Sequence, residues 1–443
     1  MRFFIKKLGC PKNDVDGDFL AGRLISAGHQ VVHEDSQAEV VIINTCGFIL
    51  PAREESIGEI LHYEKKKNEG KIEQLYVTGC LAEKYYNDLK RELPNIDGIF
   101  GLDQAENIAM AIAGQKTGGK QDGLRTGGNG GFPEPESRFI NRDLPYEYLK
   151  ISDGCDRFCS YCAIPLIRGR YRSRPLPDII REAEILADAG KREIILVSQE
   201  GTGYGRGSED GVGIIRLLSE LEKVEGIKWI KLMYLHPEGI TDRLIEHIAF
   251  SPKALGYFDI PLQHINDDIL TRMNRHISRL EIEKVLRKIR DISTNNIIRT
   301  TFIAGFPGET EDQFQELYDF IADFQFDRLG VFKYSREEGT TAGQFDSQIV
   351  EEEKERRMEE LMLLQQDIAF KKNIDLIDTI QEVIIDGVGS DNIAEGRTRG
   401  DCPEIDQTVF VRGGDLKTGD FADVKIIMAE GYDLIASPVK AKP

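Results

Sequence analysis

No apolar run in this 443-residue chain approaches the roughly 20 residues that a membrane helix needs, so no spanning segment is expected. The opening stretch Met1–Leu8 is too short and too quickly polar for a signal peptide, which makes a cytoplasmic protein the expectation. Positive charge is scarce: 57 Lys plus Arg face 76 Asp plus Glu, a formal net charge of −19. That balance argues against broad attraction to nucleic acid and suits a basic protein partner. Residues 114–136 are rich in glycine, yet no strand precedes them and no Gly-Lys-Ser/Thr follows, which sets aside a phosphate loop. Hydrophobic content of 40% and charged content of 30% are those of an ordinary globular protein, and the length allows about three domains.

Seven cysteines stand out, and in a chain of this kind they favour metal or redox chemistry over a disulfide framework. Cys155, Cys159 and Cys162 follow the strand-like run Tyr148-Leu149-Lys150-Ile151 in a C-x3-C-x2-C spacing. Such a loop aims three thiolates at one point and offers no fourth ligand. Structural zinc wants four protein ligands, usually from two halves. A four-iron, four-sulfur cluster takes one ligand per iron, so three thiolates leave one iron open to a small chelating ligand. A zinc knuckle and unligated thiols are the alternatives.

This spacing, with Tyr161 before the last cysteine, resembles the cluster motif of the radical S-adenosylmethionine enzymes. The resemblance implies a 4Fe-4S cluster on the catalytic Cys155, Cys159 and Cys162, with the methionine end of S-adenosylmethionine on the open iron. One electron from the cluster then cleaves the sulfonium to a 5′-deoxyadenosyl radical, which abstracts hydrogen from an unactivated carbon.

Residues 1–115 alternate strand-like and helix-like stretches, the pattern of a flavodoxin-like parallel sheet. The strands read as 3–8, 40–44, 74–78 and 98–101, with helices near 15–27, 52–66 and 82–92. Cys10, Cys46 and Cys80 each close a strand at its carboxyl end, the edge where open α/β folds bind ligands. If those strands are neighbours, about 4.8 Å apart, the three thiols converge. Three unrelated buried cysteines, or a zinc site completed by His29 or His33, are the alternatives. Leu8-Gly9-Cys10-Pro11-Lys12-Asn13, Asn44-Thr45-Cys46-Gly47 and Thr78-Gly79-Cys80 resemble the N-terminal domain of the methylthiotransferases. The resemblance implies a second, auxiliary 4Fe-4S cluster on these three cysteines. Cys10-Pro11-Lys12-Asn13 is similar to the ribosomal-protein branch, whereas the transfer-RNA branch usually shows Cys-Gln-Met-Asn.

A Gly-rich linker is expected at 116–139, and a radical S-adenosylmethionine domain with its connecting helix at 140–375. Six strand–helix units there suggest a partial (βα)6 TIM-like barrel, with a doubly wound sheet as the alternative. Polar loops follow its strands, and the family resemblance implies cofactor contacts from Tyr161, Gln199, Glu200, Gly201, Gln263, His264, Gly305 and Pro307. His264 reads equally as a structural histidine. Four arginines in the seven residues 168–174 suit carboxylates, and Arg174 is a candidate for the cofactor.

Residues 376–443 turn to short strands and glycines, a small antiparallel β-barrel that resembles the TRAM domain at Gly396-Arg397-Thr398. TRAM domains usually grip RNA, but this one carries seven basic against thirteen acidic residues, a net of −6, which disfavours RNA contact. Cys402-Pro403-Glu404-Ile405-Asp406-Gln407 resembles a segment of the ribosomal-protein branch. The resemblance therefore implies methylthiolation of the β-carbon of an aspartate in basic small-subunit ribosomal protein number twelve. It needs S-adenosylmethionine, two 4Fe-4S clusters, and an electron donor and a sulfur source that the sequence does not identify. The rivals are a transfer-RNA adenosine methylthiotransferase, a non-catalytic iron–sulfur carrier or scaffold, and a zinc-stabilised RNA-binding protein.

Overall fold

Val40-Val41-Ile42-Ile43-Asn44-Thr45 is buried at every position. A strand that reads as a continuous apolar run needs cover on both faces. In the computed structural model, which describes residues 1–114, 131–206, 213–390 and 392–439, it is the central strand of a five-stranded parallel sheet. The strands are β1 (Arg2–Lys7), β2 (Gln30–Val31), β3 (Val40–Thr45), β4 (Gln74–Gly79) and β5 (Gly98–Ile99), in the order β2-β1-β3-β4-β5. That order is the flavodoxin-like one, with its topological switch between β1 and β3. Period-two alternation sends Val40 and Ile42 into one core with Leu20, Leu24 and Ile108. Val41 and Ile43 enter the opposite core with Ile60, Leu75 and Leu89.

The chain forms two compact units. The first holds Met1–Ile140, Ser152–Glu182 and Ser335–Gly343, so the cysteine loop and the segment after the last barrel strand belong with the N-terminal sheet. Of the expected linker, residues 116–130 lie outside the described residues. The helix expected near 82–92 is two, Cys80–Lys84 and Tyr86–Glu92, separated at Tyr85 where φ is −119°.

The second unit holds Asn141–Ile151, Ala183–Tyr334 and Gln344–Pro443. Its six-stranded parallel sheet runs β6 (Tyr146–Lys150), β7 (Glu193–Val197), β8 (Trp229–Leu232), β9 (Ala254–Gln263), β10 (Ile297–Ala304) and β11 (Arg328–Lys333). Spatial order equals chain order. This is the partial barrel; a doubly wound sheet would reverse direction at a switch point. Capping boxes start two of its helices, Ser278 with Glu281 and Thr310 with Gln313.

A 25-residue helix, Glu351–Asp375, leads into a closed five-stranded barrel. Its strands are β12 (Ile380–Val388), β13 (Ile393–Thr398), β14 (Val409–Arg412), β15 (Phe421–Glu430) and β16 (Asp433–Pro438). Closure comes through β14 and β16, which pair in parallel while the other four pairs are antiparallel. No helix among the described residues is long and apolar enough to cross a membrane.

Candidate functional site

β1, β3 and β4 are adjacent, so Cys10, Cys46 and Cys80 leave neighbouring carboxyl ends. A glycine flanks each cysteine, and all three glycines are packed too tightly for a side chain. A Cβ on Gly9 would lie 2.7 Å from Cys46 Sγ, one on Gly47 2.7 Å from Leu81 Cα, and one on Gly79 2.4 Å from the Thr45 carbonyl. Gly79, at φ +98°, also occupies backbone space that side chains rarely adopt. Asn13 then ties the strand ends: its Nδ2 donates to the carbonyls of Leu8 (2.8 Å) and Asn44 (3.1 Å), while Asn44 Nδ2 donates to Asn13 O (2.7 Å). Ser56 fixes Cys46 from both sides, accepting from its amide (3.1 Å) and donating to its carbonyl (2.9 Å).

Burial raises the Cys46 thiol and pushes Cys80 up to about 12, and neighbouring thiolates discourage ionisation further. Buried thiols so close together are hard to ionise unless a cation holds them. Among the described residues no group of three His, Cys, Asp or Glu side chains is arranged around a single metal ion. Three thiols in a glycine-lined cradle fit a cluster that takes one thiolate per iron. His29 lies beside the Met1 amino group at the opposite, amino end of β1.

The second trio belongs to the same unit. Its loop turns at two left-handed residues, Gly154 (φ +75°) and Phe158 (φ +49°). The Cys155 amide donates to Gly169 O (3.2 Å), that of Cys162 to Cys159 O (3.0 Å), and that of Ala342 to Ser160 O (2.8 Å). Burial raises the Cys162 thiol, with Cys159 and Cys155 adding to the effect. Of the arginine run, Arg168 is buried and contacts Asp16, Asp153 and Cys80. Arg174 is buried too, paired with Glu182 at 2.6 Å, and Glu182 also binds Arg138 at 2.7 Å. Glu337, 2% exposed, receives Arg53 (2.7 Å) from the helix after Cys46 and Lys84 (3.1 Å) from the helix that Cys80 begins.

Tyr161 lies in the cysteine loop of the first unit, and the remaining expected residues lie in the second unit at carboxyl ends of its strands. The Gln199 side-chain amide is buried with no hydrogen-bond partner at either atom among the described residues. Glu200 binds Thr202 and Arg206, and Gly201 packs against the next strand, where a Cβ would meet Met233 O at 2.5 Å. Gln263 sits at a bulge with φ +71°, strained backbone of the kind that gathers at functional sites. His264 is fully buried; its Nδ1 accepts from the Asn266 amide (3.0 Å) and its Nε2 has no hydrogen-bond partner among the described residues, with Glu309 Oε2 at 3.9 Å. Burial, with Arg357 adding to it, pushes His264 down to about 3, so the ring is neutral. Glu309 folds back to accept from the amides of Gly305 (2.9 Å) and Phe306 (3.1 Å), which shapes the loop containing buried Pro307.

Asn13, Ser56, Glu337 and the strained Tyr234 (φ +61°) are positions whose roles the sequence reading missed. Asn13 carried a signal as the last residue of Cys10-Pro11-Lys12-Asn13, and Glu337 as a member of the polar loop 335–340 after the last barrel strand.

Residues 149–321 match the Radical SAM superfamily, 2–101 the Uncharacterized protein family UPF0004 and 377–439 the TRAM domain. The fold is similar to that of TsrM, a radical S-adenosylmethionine methyltransferase from Kitasatospora setae, with a TM-score of 0.55 and 14% identity over 74% of this chain and 72% of that one. Fold and motif together define a radical S-adenosylmethionine protein that ends in a TRAM barrel. The chain is 42% identical over 439 residues (98% of it, 96% of the relative) to the ribosomal protein uS12 methylthiotransferase RimO of Bdellovibrio bacteriovorus. It is 41% identical over 432 residues (97% and 96%) to RimO of Geobacter sulfurreducens. The chain belongs to the RimO family of methylthiotransferases.

Proposed function

We propose that this protein methylthiolates the β-carbon of an aspartate in ribosomal protein uS12, in the cytoplasm. Cys155, Cys159 and Cys162 would hold the radical-generating 4Fe-4S cluster, and Cys10, Cys46 and Cys80 the auxiliary one. When bound, the clusters and S-adenosylmethionine supply the electron, the radical, the sulfur and the methyl group; an electron donor and a sulfur source are further partners. The observation that carries the reading is that the three strand-end cysteines and the C-x3-C-x2-C loop share one compact unit.

The protein's own residues hold and orient. Asn13 and Ser56 keep the strand-end thiols in register. In the second unit, the Gln199 amide, unpartnered among the described residues, and the neutral His264 Nε2 offer hydrogen bonds to S-adenosylmethionine, and Glu309 shapes the Gly305–Pro307 loop beside His264. The C-terminal barrel suits a basic protein better than RNA. Its net charge is −6, and Arg397 is already spent on Glu193 (2.7 Å) and Asp386.

The test is mass spectrometry of uS12 and of transfer-RNA nucleosides from cells with and without the gene, complemented by the intact chain. A methylthio group on uS12 that disappears with the gene is expected. Loss of a methylthio-adenosine with uS12 unchanged would move the protein to the transfer-RNA branch, and no change in either would leave a carrier or scaffold.

A further inference from the structure

Arg168 carries a charge into the interior of the first unit, where its side chain is 2% exposed. Its Nη2 reaches Asp16 at 2.9 Å and Cys80 Sγ at 3.4 Å, and its Nη1 reaches Asp153 at 3.2 Å. Each partner is, or lies on an element that adjoins, a different cysteine. Asp16 lies on the helix Pro11–Ser26 that Cys10 precedes, Asp153 lies two residues before Cys155, and Cys80 is reached directly. The backbone next to Arg168 locks the same region, since Gly169 O accepts the Cys155 amide.

A buried guanidinium needs paired carboxylates to offset its desolvation. Asp16 and Asp153 already provide that, so the contact to sulfur is not required for charge balance. Hydrogen bonds to ligating sulfurs and local charge are among the levers that set iron–sulfur potentials, and a donor to sulfur favours the reduced, more negative cluster. We propose that Arg168 is a positioning residue for the Cys10, Cys46 and Cys80 site: it fixes Cys80 through the N–H···S contact and raises the reduction potential of the cluster held there. The inference rests on the two-cluster reading above. The step concerned is the uptake of one electron by the cluster from an external one-electron donor, dithionite in the titration, with no bond made or broken.

The test uses the full chain with Cys155, Cys159 and Cys162 all replaced by Ala, so that only the strand-end trio can hold iron. Iron content and a redox titration followed by electron paramagnetic resonance are compared for Arg168→Met, Arg168→Lys and Asp16→Asn in that background. At a fixed potential, Arg168→Met is expected to shift the reduced-to-oxidised ratio at least tenfold towards oxidised, a midpoint lower by about 59 mV for one electron. Arg168→Lys keeps a donor and a charge and should shift less. Asp16→Asn removes a negative charge and should move the midpoint the other way. If Arg168→Met fails to hold iron while Arg168→Lys holds it, the positioning role stands, and the sign of the Asp16→Asn shift decides the tuning role. Equal iron and equal midpoints in Arg168→Met, or a downward shift in Asp16→Asn, would overturn the inference. A background protein with no iron at all would overturn the two-cluster reading itself, and the inference with it.

Discussion

Replacing Asn13 by Ala should loosen the strand ends that carry Cys10 and Cys46 while leaving both cysteines in place. The 1% exposed side chain donates to the Leu8 and Asn44 carbonyls and, at a longer 3.3 Å, to that of Thr45. Asn44 O also receives the Leu8 amide at 3.0 Å and keeps it in the variant, so the Leu8 carbonyl bears the main loss. One buried acceptor left unsatisfied costs about 1–3 kcal/mol. The one tryptophan, Trp229, sits in the second unit and cannot report on this change. Hydrogen exchange read by mass spectrometry can. In metal-free protein, amides of β1 and β3 should exchange about 5- to 150-fold faster, the same free energy expressed as an opening equilibrium. Asn13→Asp should be worse, because a carboxylate only accepts and would face three carbonyl oxygens, those of Leu8, Asn44 and Thr45. Unchanged exchange in Asn13→Ala, or Asn13→Asp as well protected as the alanine variant, would refute the argument.

Cys46→Ala should cut the iron of anaerobically purified protein from about eight atoms, four per site, to about half. It should keep reductive cleavage of S-adenosylmethionine but install no methylthio group on uS12, and a methylthiolated product by mass spectrometry would exclude an auxiliary-site role for Cys46. His264 supplies a pH dependence. Its folded value lies near 3 against an ordinary 6.5, so the unfolded chain binds a proton that the native ring refuses between those values, and stability falls as pH drops below 6.5. At pH 5 that amounts to about 2 kcal/mol, which His264→Gln should remove. Denaturation of both proteins at pH 7 and pH 5 measures it, and equal acid losses would count against a neutral buried ring.

What was legible in the sequence was whatever repeats locally. Apolar runs ending in Gly9-Cys10, Thr45-Cys46 and Gly79-Cys80 mark strand ends, and the sheet makes those three strands neighbours. The strands that escaped, the two-residue pieces Gln30–Val31, Ser152–Asp153 and Arg172–Ser173 and the half-polar Asp433–Pro438, are ones that no period announces. The side chains that organise the cysteines were illegible for another reason: their partners are remote. Glu337 meets Lys84 across 253 positions and Arg53 across 284, and no local pattern records such a pairing.

The barrel shows how a recognisable signature can be spent on packing rather than on a partner. Within the second unit, Arg397 binds Glu193 (2.7 Å), Asp401 binds Arg328 (2.6 Å), and Asp406 accepts from Tyr257 (2.6 Å). Tyr146 completes the set by donating to Glu404 at 3.2 Å. These sheet residues lie in the first halves of β6, β7, β9 and β11, at the end of the sheet opposite Gln199, Gln263 and Gly305. Removing one member of a buried pair costs about 3–5 kcal/mol, because the other charge is left stranded. Gly396-Arg397-Thr398 and the segment from Asp401 to Asp406 therefore anchor the barrel to the sheet, which is reason enough for their composition. The groups left to meet a partner are exposed ones such as Asp415 and Asp423, and their charge, not the family-like signature, is what would select a basic protein over RNA.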